Sequence, residues 1–99
     1  MIVRMWRGAV RREDSDAYAE YINATGTAEY EATPGNRGVW MLRRDKGDLT
    51  EFLMVTHWDS IDAIKAFAGE DYERAVYYPE DERFLVEHDD VVTHYELVT

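Results

Sequence analysis

Between residues 2 and 10, apolar and polar positions alternate with the period of two expected of a half-buried strand. Val3, Met5 and Ala9 share one face with Arg7, while Ile2, Arg4, Trp6 and Gly8 share the other. The period then lengthens. Asp14 or Ser15 can accept a hydrogen bond from first-turn amides, and Tyr18, Tyr21, Ile22 and Thr25 follow at helical spacing. Gly26 weakens this helix, and Pro34-Gly35-Asn36 closes the connection with a turn. Alternation returns over residues 37–44, where Val39 and Met41 oppose Trp40 and Leu42. It continues over residues 49–57, after a hairpin-like Asp45-Lys46-Gly47-Asp48 loop. There Leu49, Glu51, Leu53, Val55 and His57 form one face, and Phe52, Met54, Thr56 and Trp58 the other. Asp59 or Ser60 caps a second helix with a buried stripe of Ile61, Ile64, Phe67 and Ala68, stopped by Gly69. Asp71–Tyr78 reads as a further short helix halted by Pro79, with a helical turn around Asp81–Val86. Residues 90–98 alternate as the last strand.

The order is βαββαβ with a helical elaboration before the last strand, the split βαβ arrangement of a ferredoxin-like α+β fold. It predicts a four-stranded antiparallel sheet and one domain over residues 1–99. Both faces of the strands carry apolar residues, yet helices can cover only one. An uncovered apolar face of this size marks an association surface. Pairing two such sheets face to face in an isologous homodimer would bury it, forming a dimeric α+β barrel.

Composition narrows the partners. A formal net charge of −10 argues against nucleic acid and against an anionic membrane surface, since both are recognised through Lys and Arg. Most of the excess lies after residue 46, where a solvated acidic face is the ordinary explanation. The absence of Cys removes disulfides, thiolate metal sites, iron–sulfur clusters and a cysteine nucleophile. The N-terminus lacks the apolar run of a signal peptide, and no segment has the length to span a bilayer as a helix. A cytoplasmic location is the expectation.

Three segments resemble the antibiotic biosynthesis monooxygenase family, a branch of the dimeric α+β barrel proteins. They are Ala32-Thr33-Pro34-Gly35-Asn36-Arg37-Gly38, Thr56-His57-Trp58-Asp59-Ser60, and the run from Ala75-Val76-Tyr77-Tyr78-Pro79 to Phe84. The resemblance implies a dimer with a cavity between the sheet and helices of each subunit. Some relatives oxygenate polycyclic aromatic compounds with molecular oxygen and neither metal nor flavin; others bind and degrade haem.

Cofactor-free oxygenation suits an easily ionised phenol or quinol, whose anion itself donates an electron to oxygen. The protein then needs aromatic walls and a few polar groups. Trp6 and Trp40 are the expected walls, provided that strands one and two turn those faces to the helices; Tyr21 and Phe67 complete the aromatic supply. Tyr21, Tyr77 and Tyr78 are candidate donors to a developing oxyanion. His57 is the candidate base, although its position opposite Trp58 also suits a dimer interface. The competing reading makes the whole set packing residues. The haem-degrading relatives surround haem with an Asn on the first strand, a Trp on the second helix and a His on the next. Trp6, Phe67 and Tyr77 stand at those positions, so all three depart, although Tyr can ligate haem iron.

Glu87-His88-Asp89-Asp90 with His94 offers metal-ligand chemistry, but neighbours on a strand point to opposite faces, and a charged loop is the simpler explanation. Arg11-Arg12 and Arg43-Arg44 read as solvent-facing charges, and no nucleotide fingerprint or serine nucleophile elbow is present. The expectation is therefore a cofactor-independent monooxygenase acting on an aromatic or quinol-type small molecule, without metal or other cofactor. The alternative is a non-catalytic dimeric module of the same fold, holding a small hydrophobic ligand or serving in a stress response.

Overall fold

The computed structural model describes all residues from Met1 to Thr99. Strand β1 (Ile2–Arg11) leads through a short 3-10 turn into α1 (Ser15–Ile22). The helical path continues through a π-helical stretch, Asn23–Thr27, into α2 (Ala28–Ala32). Strands β2 (Asn36–Lys46) and β3 (Leu49–Trp58) form a hairpin, followed by α3 (Ile61–Ala68). The chain ends in α4 (Asp81–Phe84), β4 (Leu85–His88) and β5 (Thr93–Glu96). The strands form one antiparallel sheet in the order β2-β3-β1-β4, with β5 also pairing with β1. This is the ferredoxin-like α+β arrangement that the alternation implied.

Strand β3 carries the clearest two-faced pattern. Thr50, Phe52, Met54, Thr56 and Trp58 are buried against the helices, while the intervening residues are half-exposed. The register transmits this pattern across the sheet: Trp6 faces Met54, and Val39 faces Thr56. Tyr18 and Ile22 from α1, Tyr30 from α2 and Ile64 from α3 cover the inner face. Ser60 starts α3 by accepting a hydrogen bond from the Ala63 amide at 3.2 Å. Gly35, at a φ of +91°, packs so closely that a Cβ there would stand 2.5 Å from that of Ala63. Only glycine suits both the left-handed turn and this contact between the start of β2 and α3.

The C-terminal third departs from expectation in three places. Residues 71–78 are not helical: the Ala75 amide donates to the Asp90 carbonyl, and the Val92 amide donates to Glu73. Arg74 bridges Val91 in the same way, so tertiary backbone pairing overrides a modest helical propensity. The turn around Asp81 ends at Phe84, and Leu85–His88 extends along β1 as a strand. The sheet therefore has five strands rather than four. β4 and β5 lie end to end on one edge of β1, with a register shift at Ala9/Val10. No helix is long and apolar enough to cross a membrane.

Candidate functional site

Between the inner sheet face and the helices lies a small cavity lined by Arg4 and Trp6 of β1, Tyr18 and Ile22 of α1, Gly26, Tyr30, Met54, Val76, Tyr78 and Asp81. Its free volume is about 20 Å³, enough for one water molecule. The π-helical stretch shapes one wall. It places Gly26 against the Tyr78 ring, where a Cβ would lie 3.2 Å from that ring. Such local widening of a helix recurs at functional sites. Outside the cavity is an open groove of about 360 Å³ lined by Tyr77, Tyr78, Pro79, Asp81, Glu82, Leu85 and His88. Tyr78 and Asp81 line both spaces and form the partition between them.

Asp81 fixes that partition. Its carboxylate accepts from the Tyr18 hydroxyl at 3.0 Å and from the Tyr78 amide at 2.7 Å. Burial pushes its pKa above the ordinary carboxylate value, against the opposing effect of those two hydrogen bonds. Tyr18 is raised likewise, first by burial and then by Asp81. Two residues that line the cavity carry a buried polar atom with no partner. The buried side-chain atoms without a hydrogen bond are Arg4 Nε, Tyr78 Oη and His94 Nε2. Arg4 and Tyr78 line the cavity, and His94 is the cross-strand neighbour of Arg4 on the same sheet face. Burial raises the Tyr78 pKa, so its phenol is a proton-bearing donor at neutral pH.

The residues expected from the sequence separate into three places. Trp6 and Tyr78 line the cavity. The Trp6 indole NH donates to the Asp89 carbonyl at 2.9 Å, so its polar edge is already used. Phe67 stacks on Tyr30 with ring centroids 4.4 Å apart and supports the cavity from behind. The Tyr21 hydroxyl accepts from the Glu80 amide at 3.1 Å and steadies the segment after Tyr78. Tyr77 points outward and is 42% exposed. Its hydroxyl lies 2.8 Å from both His88 Nδ1 and Asp90 Oδ1.

Trp40 and His57 require a correction. They sit on the outer face of the sheet with ring centroids 4.6 Å apart, and Trp40 is 47% exposed. The physical reason is the register: Trp40 opposes Val55, whereas Trp6 opposes Met54, so the two tryptophans point to opposite faces. Trp40 cannot share a cavity with Trp6, and His57 cannot reach Tyr78 through the sheet. Sequence reasoning missed Arg4, Asp81 and His94. The signal for Arg4 was present, since an arginine shares the alternating face with Trp6. Asp81 and His94 acquire their surroundings only through long-range packing.

A family model described as antibiotic biosynthesis monooxygenase matches residues 1–77. The chain belongs to that family. Tyr78, Asp81 and His94 lie beyond the matched span. Among solved structures, a proposed antibiotic biosynthesis monooxygenase of Nitrosomonas europaea has a TM-score of 0.72 at 13% identity, over 100% of both chains. Another from Bacillus cereus has a TM-score of 0.66 at 15% identity, covering 99% of this chain and 93% of that one. The haem degrader MhuD of Mycobacterium tuberculosis, solved with two haems in its active site, has a TM-score of 0.67 at 22% identity, covering 100% and 97%. At these identities the likeness carries the fold alone. Curated protein sequences give no significant match.

Haem does not fit the residues present. Phe67 and Trp6 offer no ligand, and the Tyr77 hydroxyl is held outside the cavity by His88 and Asp90. The cavity itself has the free space of one water, far short of a porphyrin. No cluster of three or more His, Asp or Glu side chains converges as a metal site.

Proposed function

We propose that the protein is a cofactor-independent monooxygenase acting on an aromatic, quinol-type small molecule. The observation that carries this reading is the unpartnered Tyr78 hydroxyl, buried at the edge of an aromatic-lined cavity. Leaving such a donor unmade costs about 1–3 kcal/mol, which a ligand oxygen would recover. Membership of the antibiotic biosynthesis monooxygenase family supports the reaction class.

The ring of the substrate lies in the outer groove, whose volume of about 360 Å³ has room for it, against Tyr77, Pro79 and Leu85. Tyr78, which lines both the groove and the cavity, donates its hydroxyl to the developing oxyanion. The bound anion gives an electron to molecular oxygen, and the two radicals combine at carbon. Loss of water converts a ring CH2 to C=O, with one oxygen atom retained and the other released as water. The four electrons that reduce oxygen all come from the substrate carbon, so the balance needs no external reductant. Here the protein binds, orients and stabilises charge.

The active unit is a homodimer formed through the outer sheet face, where Val3, Met5, Trp40, Leu42, Leu53 and Val55 make an apolar patch. Oxygen uptake by metal-stripped protein supplied with anthrone-like and naphthoquinol compounds tests the proposal, with autoxidation subtracted. Protein-dependent uptake that survives chelators is expected. Its absence across the panel would transfer the cavity to the non-catalytic, ligand-holding alternative.

A further inference from the structure

His88, the last residue of β4, lines the outer groove together with Tyr77, Asp81 and Glu82. Its Nδ1 lies 2.8 Å from the Tyr77 hydroxyl and 3.0 Å from Asp90 Oδ1, and those two oxygens are themselves 2.8 Å apart. A carboxylate supplies no hydrogen, so Tyr77 donates to Asp90, and the contact of Asp90 with Nδ1 requires a hydrogen on that nitrogen. In the neutral ring this leaves the lone pair at Nε2. No hydrogen bond reaches Nε2, and the side chain is 39% exposed. The backbone fixes the ring's position: His88 pairs with Gly8 of β1, and the Asp89 amide donates to the Arg7 carbonyl at 2.9 Å.

We propose that His88 is the general base of the groove: Nε2 takes the proton of an un-ionised aryl hydroxyl, while Asp90 and Tyr77 hold Nδ1. This rests on the reading of the groove as the substrate site and specifies the form in which the substrate arrives. The surrounding charges favour a neutral arrival. Asp81 and Glu82 line the groove, no arginine or lysine does, and Asp90 adjoins the ring. Across β1 the facing residue is the uncharged Gly8, and the neighbouring Arg7 and Glu87 are paired with each other. Carboxylates repel an aryl anion from solution but stabilise an imidazolium formed in place. Proton transfer breaks the O–H bond, leaves its electron pair on the substrate oxygen and forms an N–H bond at Nε2. After oxygen has added at carbon, that proton passes to the peroxide anion. Water then leaves, and the imidazole is neutral again.

The test uses 4-nitrophenol, whose anion absorbs at longer wavelength than its neutral form, in the absence of oxygen. At about one pH unit below the free compound's midpoint, binding to the intact protein should generate the anion band. His88→Gln keeps a hydrogen-bond donor but no basic nitrogen; it should hold the melting temperature and lose the band. Asp90→Asn should keep part of the band, as expected of a positioning residue. Oxygen uptake on a quinol should fall about a hundredfold in His88→Gln, the lower end of what a positioned base contributes. No binding of 4-nitrophenol, binding without the anion band, or a band that persists in His88→Gln would overturn the base. If His88→Gln fails to fold, Asp90→Asn decides, and an undiminished band there overturns it. Because the band is read without oxygen, its appearance without any uptake refutes only the oxygenase. Full uptake in His88→Gln, with no band in the intact protein, refutes only the base.

Discussion

At the scale of single residues, the informative atoms are those the fold leaves without partners. A Tyr78→Phe substitution removes a hydroxyl that makes no hydrogen bond, so stability should stay level or rise slightly. If that hydroxyl holds the substrate oxyanion, kcat should fall by about tenfold or more in the same variant. The split between an unchanged melting temperature and reduced oxygen uptake separates function from packing; unchanged turnover would remove Tyr78 from the mechanism. Tyr77 makes a useful contrast. Its pKa is raised by burial and by Asp90, and its hydroxyl is satisfied on the surface, which suits a residue fastening the 77–90 connection.

At the scale of elements, the outer sheet face is braced by one carboxylate. Glu51 on β3 accepts from Arg7 of β1 at 2.5 Å and from Arg44 of β2 at 2.7 Å. Those arginines hold the Glu51 pKa down to about 2, from an ordinary 4.5. A depressed folded-state pKa stabilises the native state at pH values above the unfolded pKa, and the contribution is lost as pH falls through the folded one. The ladder across three strands should therefore weaken between about pH 4.5 and 2. Glu51→Gln should lower the melting temperature at pH 7 and flatten its decline over that acid window. Melting curves for both proteins check this; parallel acid limbs would show that other carboxylates dominate.

At the scale of the whole molecule, the sheet has one face under helices and one without cover. Trp40, Leu42 and Tyr95 are 47%, 49% and 55% exposed on the uncovered side. Sedimentation at micromolar concentration should give a dimer, and Trp40→Glu should shift it towards monomer by placing a charge in the apolar patch. A monomer in the unaltered protein would refute the face-to-face arrangement. The same substitution should spare ligand binding within a subunit, because Trp40 and the cavity lie on opposite sides of the sheet.

Local periodicity determined the first two-thirds of this chain. Alternation along residues 2–10, 37–44 and 49–57, with helical spacing between, specified the succession of elements and the two faces of each strand, because side-chain direction in a strand follows position alone. Of the expected helix caps Ser60 forms, whereas the Asp14 side chain makes no capping hydrogen bond. That rule already placed Arg4 with Trp6, and His57 opposite Trp58. What alternation within a strand cannot supply is the pairing between strands. Whether Trp40 joins Trp6 depends on the register of β2 and β1 against β3, and that register put them on opposite faces. Residues 71–88, apart from the helical turn at Asp81–Phe84, were decided by tertiary structure. Glu73 and Ala75 bond to Val92 and Asp90, and Leu85–His88 pair with Gly8–Val10 at the other end of the chain, converting an apparent helix into an extended connection and a short strand. The cavity belongs to the same category. Tyr78, Asp81 and His94 reach Arg4 and Tyr18 over long sequence separations, and only close packing brings their unpartnered atoms together.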